Sequence, residues 1–215
     1  MATVITAGNA TNGLSLSADN TGSFQFKTGT GAGTTAITVD SSQNTTFAGT
    51  AAVSTGTLYP IVSGTAVAST SGTSIDFTGI PTWVKRVTVM FNNVSTNGTS
   101  PFLIQIGAGS VTTSGYQSAG STIVNGSVTG VATSTAGFVC SNGNSAAGTV
   151  QGAYRVNLIG SNIWVAEGNT FNTNSNQLCV MAGGITLGGT LDRVRITTVG
   201  GTNTFDLGTL NILYE

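Results

Sequence analysis

The side chains that could act as acids, bases or nucleophiles are few in this sequence. It contains seven carboxylates, two cysteines and no histidine. Neither a Ser–His–Asp nor a Cys–His set can form without histidine. Two carboxylates about 5–10 Å apart are enough to hydrolyse a glycosidic bond, so paired acids are the catalytic chemistry that the composition leaves open. The carboxylates are Asp19, Asp40, Asp76, Glu167, Asp192, Asp206 and Glu215.

The positions of these acids favour structural roles. Asp19 and Asp40 fall in turns, where an aspartate accepts hydrogen bonds from its own backbone. Asp76, Asp192 and Asp206 stand at the starts of predicted strands, and we expect them to pair with Arg193, Arg86 or Arg155. A hydrolytic pair would draw on Asp76, Asp192 and Glu167, but we expect no enzyme. The sequence has no Walker, dinucleotide-binding or zinc-type Cys/His motif, so no cofactor and no metal site is expected.

The two cysteines, Cys140 and Cys179, could form one disulfide or stay free. A disulfide would close a long loop and stabilise the fold by about 2–4 kcal/mol. The sequence opens without a charged and apolar leader, and nothing in it indicates an oxidising compartment. We therefore expect two free, buried thiols.

The composition predicts a folded, charge-poor β protein. Gly, Thr and Ser make up more than two residues in five, and only 6% are charged. Thr, Val and Ile favour strands, and no amphipathic helix is visible. A net charge of −1 without basic clusters argues against nucleic-acid binding. The sequence has no run of about 18 apolar residues, which a membrane-spanning helix would need, so membrane insertion is not expected. A lone soluble protein normally keeps more surface charge, so we expect a homo-oligomer.

Residues 1–50 carry the pattern of two β-hairpins. In the first, Leu14 and Leu16 alternate with serine before a polar turn, and Phe24 and Phe26 follow it. In the second, residues 37–39 and Phe47 flank a turn that begins at Asp40. Each hairpin has one thin apolar stripe, and an isolated hairpin is only marginally stable in water. Identical stripes from neighbouring chains around a symmetry axis would cover them, whether that axis is two-, three- or five-fold.

Residues 51–74 are interpreted as a linker that contains one strand, and residues 75–215 as an antiparallel β-sandwich, jelly-roll-like in character. The alternation of Val87, Val89 and Phe91 with polar or larger neighbours indicates a half-buried strand. Residues 92–100 read as a turn, and Gly208 predicts a bulge in the last strand. The predicted strands are residues 75–77, 84–91, 102–106, 122–124, 137–140, 150–159, 162–166, 177–181, 191–197 and 205–214.

Five aromatic residues are candidate platforms for a sugar ring: Trp83, Tyr116, Tyr154, Trp164 and Phe171. Exposed rings among hydroxyl and amide side chains suit carbohydrate recognition, because such groups match sugar hydroxyls without burying a charge. Trp164 lies within a strand pattern, which favours the core. Tyr116 and Phe171 lie in stretches rich in Ser, Gly and Asn, and we take them as the candidate receptor-binding residues.

Three passages of the sequence resemble bacteriophage tail-fibre and related virion surface proteins. They are GLSLSADNTGSFQFKTG with TTAITVDSSQNTTFAG in residues 13–49, SIDFTGIPTWVKRVTVMFNNVSTNGTS in residues 74–100, and LDRVRITTVGGTNTFDLGTLNILYE in residues 191–215. The resemblance covers a little under half of the chain. It implies a trimer of β-rich chains with a distal β-sandwich knob that touches the host surface. The three passages carry no catalytic motif, so no active-site residue is transferred.

Together these observations predict a non-enzymatic virion protein, assembled in the host cytoplasm. An N-terminal β segment would attach it to other virion proteins, and the loops of a trimeric knob would bind a glycan or protein on the host surface. The alternative is a capsid decoration or head-fibre protein with a structural role. A third class, a depolymerase that cleaves surface polysaccharide, would need a carboxylate pair in a groove.

Overall fold

The computed structural model describes residues 22–28, 33–49, 52–53, 56–57 and 59–215. The chain divides into two compact units, Met1–Tyr59 and Pro60–Glu215. The described residues contain strands, one short 3₁₀ helix at Asn174–Asn176 and no α-helix. The predicted all-β class is therefore confirmed.

The first unit contains a three-stranded antiparallel sheet and a small hairpin. The sheet consists of β1 (Phe24–Thr28), β2 (Thr34–Val39) and β3 (Thr45–Phe47), and the hairpin of β4 (Ala52–Val53) and β5 (Gly56–Thr57). The cross-strand register places Phe26, Ile37 and Phe47 in one row. Phe26 and Phe47 are about half exposed in this row. The apolar stripe predicted from the sequence is thus present on this sheet.

The predicted hairpin around Asp40 is confirmed as β2–β3. Asp40 Oδ1 accepts hydrogen bonds from the backbone N–H groups of Ser42 and Asn44, each at 2.9 Å. The Asn44 side-chain amide also donates to this carboxylate, and these bonds lower the pKa of Asp40. The first predicted hairpin cannot be compared, because Leu14, Leu16 and Asp19 lie outside the described residues.

The second unit is a β-sandwich of two antiparallel sheets. A nine-stranded sheet has the order β13-β12-β17-β16-β15-β9-β19-β6, with β7 also paired to β19, and a five-stranded sheet has the order β11-β10-β18-β8, with β14 paired to β10. The strands are β6 (Val62–Ser63), β7 (Val67–Ala68), β8 (Ile75–Thr78), β9 (Arg86–Thr96), β10 (Phe102–Ala108), β11 (Ser110–Val111), β12 (Gln117–Val124), β13 (Ser127–Ser134), β14 (Phe138–Val139), β15 (Val150–Gly160), β16 (Ile163–Asn172), β17 (Gln177–Thr186), β18 (Arg193–Thr198) and β19 (Phe205–Tyr214).

Inward-facing side chains from both sheets form one hydrophobic core. The predicted alternation in β9 holds, since Val87, Val89 and Phe91 are buried. Phe102 of β10 sits between two other rings, 5.6 Å from Phe91 and 5.9 Å from the stacked ring of Phe205. Because these rings come from both sheets, the aromatic cluster joins the two layers.

The β9–β19 pair contains the bulge predicted at Gly208. The register shifts between Leu207 and Thr209, and Gly208 has φ +97°. On the partner strand Asn93 has φ +52°. The predicted turn over residues 92–100 is wrong in its extent, because β9 continues through this irregularity to Thr96. The bulge lets a strand rich in turn-forming residues stay paired.

The boundary between the two parts of the chain lies earlier than the sequence suggests. Residues 60–74, interpreted as part of a linker, belong to the second unit. Val62 and Ser63 pair with Tyr214 and Leu213 in β19, and β7 pairs further along the same strand. The C-terminal strand therefore has partners on both sides, β9 on one and β6 with β7 on the other.

Candidate binding surface

The three carboxylates that a hydrolytic pair would draw on are held in ion pairs with arginine: Asp76–Arg195, Glu167–Arg155 and Asp192–Arg193. Glu215 likewise pairs with Arg86. The arginine partner expected for Asp206 is absent among the described residues, because its carboxylate instead accepts a hydrogen bond from the Ser95 hydroxyl. Hydrogen bonding to the Arg193 guanidinium lowers the pKa of Asp192. A general acid needs a raised carboxyl pKa, so the shift at Asp192 is in the opposite direction.

The two cysteines are free and buried inside the sandwich. Burial raises the pKa of both thiols, most strongly that of Cys140. The Tyr154 hydroxyl lies 2.9 Å from the carbonyl oxygen of Cys140, to which it donates, and 2.9 Å from the Thr170 hydroxyl. Burial also raises the pKa of Tyr154 well above its ordinary value. These groups therefore stay protonated and serve packing and hydrogen bonding.

Tyr116 is not a surface ring, so the exposure predicted for it is wrong. Its side chain is only 1% exposed, and its ring packs edge-on against Phe138 at 5.0 Å. The hydroxyl accepts a hydrogen bond from the backbone N–H of Ile106 at 2.8 Å, and the carbonyl oxygens of Ile106 and Thr112 each lie 3.1 Å away. The phenol satisfies backbone groups at the β10–β11 turn. Its polar sequence neighbours gave no sign of this role.

We expect alkaline pH to destabilise the protein partly through Tyr116. Burial raises the pKa of Tyr116 to about 12, whereas an unfolded tyrosine ionises near pH 10. The folded form therefore binds more protons above pH 10, so its stability is complete below about pH 10 and falls as the pH rises towards 12. Urea unfolding at about pH 9 and about pH 11 should show this loss. The free energy of unfolding of Tyr116→Phe should fall less between these two pH values than that of the wild type. An equal fall in both proteins would contradict a role for Tyr116 in the alkaline loss of stability.

Phe171 is exposed, as predicted, but it lies in strand β16 rather than in a loop. The cross-strand register pairs Phe171 with Leu178, Leu178 with Ile123, and Ile123 with Val128. These four side chains form a continuous apolar row across β16, β17, β12 and β13, on the face of the sheet opposite the core. Phe171 and Leu178 are each 42% exposed and Val128 is 62% exposed. We call these four residues the Phe171 row.

The surface around the Phe171 row carries almost no charge. Glu167 is the single ionisable carboxylate or base in β12, β13, β16 and β17 together. It faces Arg155 of β15 in the register, with their charged groups 3.5 Å apart. Ser121 of β12 lies next to the row and is paired with Val180 of β17 on one side and Val131 of β13 on the other. These two valines enlarge the apolar area. This face therefore combines low charge with exposed apolar side chains.

A cleft opens on the side of the sandwich where the two sheets end. It lies between β8, at the edge of the five-stranded sheet, and β6 with β7, at the edge of the nine-stranded sheet, and has a volume of about 380 Å³. We call it the lateral cleft. The residues that line it include Ser63, Thr65 and Thr78, which carry hydroxyl groups, and Asp76, which carries a carboxylate. Tyr214 also lines the cleft.

Two contacts fix the functional groups of the lateral cleft. Arg195 donates to both oxygens of Asp76, at 2.7 and 2.8 Å. This bidentate pair orients the carboxylate and leaves further lone pairs on each oxygen. The Tyr214 ring packs against Trp83, with centroids 5.9 Å apart. No sequence pattern indicates this site, because its residues come from both ends of the second unit and the strands β6 and β7 are not apparent from the sequence.

Neither a metal cluster nor a spanning helix is found in the part of the chain that the structure describes. No group of three or more His, Cys, Asp or Glu residues is placed there to hold a metal ion. The same residues include no helix long and apolar enough to cross a membrane. Comparisons with protein-family models, with curated proteins and with solved structures find no match to this chain.

Proposed function

We propose that this chain is a non-enzymatic structural protein of a bacteriophage virion that binds a glycan of the host surface through the lateral cleft. The observation that carries the proposal is a cleft of about 380 Å³ whose lining includes the ion-paired Asp76, the residues Ser63, Thr65 and Thr78, and Tyr214. That volume lies at the lower end of the range of small-ligand sites, about 300–1,000 Å³. The sequence passages that resemble tail-fibre proteins support the virion context.

The chemistry of the cleft suits a neutral sugar. Sugar hydroxyls donate to a carboxylate and exchange hydrogen bonds with Ser and Thr hydroxyls. The Asp76 carboxylate is paired with Arg195, and a ligand without charge adds no ionic group to be desolvated. The apolar face of a sugar ring would pack on the Tyr214 ring.

Assembly would turn weak single-site binding into firm attachment. Sites joined in one particle bind at a high effective concentration, so overall avidity exceeds the affinity of each site. In the first unit, the row of Phe26, Ile37 and Phe47 offers a surface that copies of the chain would cover around an axis. A homotrimer attached to the virion through this unit is our model.

Filling the lateral cleft is expected to weaken host binding strongly. Thr65 lines the cleft and is exposed, so Thr65→Trp should block the cavity with little effect on stability. Thr70→Trp is the matched control, because Thr70 is exposed in the same segment but does not line the cleft. Binding to a glycan array and to susceptible cells should fall at least about tenfold for Thr65→Trp alone. Equal binding by both variants would contradict the role of the cleft.

A capsid decoration or head-fibre role is the second candidate. The flat, charge-poor Phe171 row favours it, since such a face suits a permanent contact inside a particle. Antibodies against this chain would separate the two locations on intact virions. Label at the tail tip favours the receptor-binding role, and label on the head favours decoration.

A further inference from the structure

We propose that Asn125 is a site of spontaneous modification, where the side-chain amide is converted to a carboxylate at the tip of the β12–β13 hairpin. The reaction needs no enzyme, and water is its only co-reactant. The proposal does not depend on the virion role or on the lateral cleft, because its evidence is confined to this hairpin and to the other Asn–Gly pairs of the chain.

The reaction joins a side chain to the backbone of the next residue. The backbone nitrogen of Gly126 attacks Cγ of Asn125, and a succinimide ring forms. The side-chain nitrogen leaves as ammonia and carries away the proton of the attacking nitrogen. Water then opens the ring at either of its carbonyl groups, and the product is aspartate or isoaspartate. Glycine in the second position favours ring closure, because it has no Cβ to obstruct the attack.

The turn between β12 and β13 leaves both reacting groups accessible. Val124 pairs with Ser127, so Asn125 and Gly126 form the whole turn. Their φ values are +50° and +79°, as a type I′ hairpin turn requires. Both residues are exposed, and an added Cβ on Gly126 would meet no atom within 4 Å. Among the described residues, none forms a hydrogen bond with the Asn125 side chain or the Gly126 N–H.

The tip of the hairpin can also rearrange with little loss of structure. The β12–β13 register shifts between Ser121 and Ile123, and only the pairs Ile123–Val128 and Val124–Ser127 separate this shift from the turn. In the described part of the chain β13 is the last strand of its sheet, so no strand holds its outer side. Segments with few contacts open most readily, and the open turn can reach the geometry of ring closure.

Two other Asn–Gly pairs within the described residues are held by hydrogen bonds. Asn97 Oδ1 accepts from the backbone N–H of Thr204 at 2.9 Å, and the Asn97 N–H donates to the Thr204 carbonyl. The Asn142 amide donates to the Thr129 hydroxyl at 3.3 Å, and this asparagine is half-buried. Each side chain has to give up its bond before Cγ can meet the next nitrogen. Because Asn97, Asn125 and Asn142 share one reactive dipeptide, the fold alone separates them.

The product places a charge where the surface has almost none. Neither β12 nor β13 contains an ionisable side chain. A carboxylate at position 125 therefore introduces the first charge of this hairpin, close to Ile123 and Val128 of the Phe171 row. Isoaspartate also adds a methylene group to the main chain, which changes the two-residue turn that sets the hairpin register.

The test compares the Asn–Gly sites in the folded protein and in urea. The full-length protein is kept in a mildly alkaline buffer, and peptide mass spectrometry measures the carboxylate formed at each site over time. In the folded protein Asn125 should convert at least about tenfold faster than Asn97 and Asn142. In urea the three rates should converge. Asn12–Gly13 lies outside the described residues and does not enter the comparison.

Two variants connect the new charge to the hairpin. Asn125→Gly keeps a sequence that suits a type I′ turn, and ion-exchange chromatography should show that it forms acidic species more slowly than the wild type. Asn142→Ser is the matched control and should form them at the wild-type rate. Equal rates in the two variants contradict the proposal. It is also overturned if Asn125 converts no faster than Asn97 or Asn142 in the folded protein, or if its lead is as large in urea, since local sequence would then set the rate.

Discussion

Replacement of Gly208 by alanine is expected to destabilise the second unit by about 3 kcal/mol or more. Gly208 has φ +97°, a conformation that a residue with a Cβ rarely adopts. An added Cβ would also lie 2.7 Å from the carbonyl oxygen of Asn92, and closer still to that of Asn93. Both contacts are with backbone, so a rotated side chain cannot relieve them. The bulge would open between β9 and β19, strands that contribute Phe91 and Phe205 to the core.

Gly109→Ala separates the steric clash from the backbone strain. Gly109 also has a positive φ, +74°, but an added Cβ would meet no atom within 4 Å. Its cost should be the strain alone, about 1 kcal/mol. Urea unfolding of the two variants and the wild type measures the difference in the free energy of unfolding. Equal losses would show that the close approach to Asn93 does not contribute.

Phe102→Ala is expected to cost about 3–5 kcal/mol, the usual range when a buried phenylalanine is truncated. Phe102 is 2% exposed and contacts rings from the opposite sheet. Removing it leaves a cavity at the contact between the two layers, where the rings of Phe91 and Phe205 lose their common neighbour. This loss is a large share of the total free energy of unfolding of a domain, about 5–15 kcal/mol, so the variant should unfold at a clearly lower temperature than the wild type.

An exposed apolar residue of the same unit provides the comparison for Phe102. Ile159 is 67% exposed at the end of β15, so Ile159→Ala should change stability by less than about 0.5 kcal/mol. Differential scanning calorimetry of the two variants would test both values. A small loss for Phe102→Ala would mean that the two sheets are held together chiefly at other contacts.

Much of the sandwich could be predicted because its strands alternate in the usual way. In β18, Val194 and Ile196 face the core while Arg193 and Arg195 face out, as the period-two pattern indicates. The β13 strand was missed for a physical reason. Its register shifts against β12, so its outward valines fall at positions 128 and 131, three apart. A bulge of this kind hides the alternation from any pattern with period two.

The candidate sites were harder to predict than the fold, because they depend on which strands become neighbours. The polar neighbours of Phe171 predict its exposure, but only the strand order places Leu178, Ile123 and Val128 beside it. Tyr116 was selected for its polar neighbours, yet its hydroxyl is bound to backbone groups of Ile106. Local composition cannot distinguish an exposed ring from one that completes a buried hydrogen-bond network.

The burial of both sulfhydryl groups has a practical consequence for handling the protein in air. Disulfide exchange and oxidation start from the thiolate, and the interior position of Cys140 and Cys179 disfavours that form. Preparations kept without a reducing agent should therefore not build up covalently linked aggregates. Copies of this chain held close together in air should therefore gain no disulfide links from one to the next.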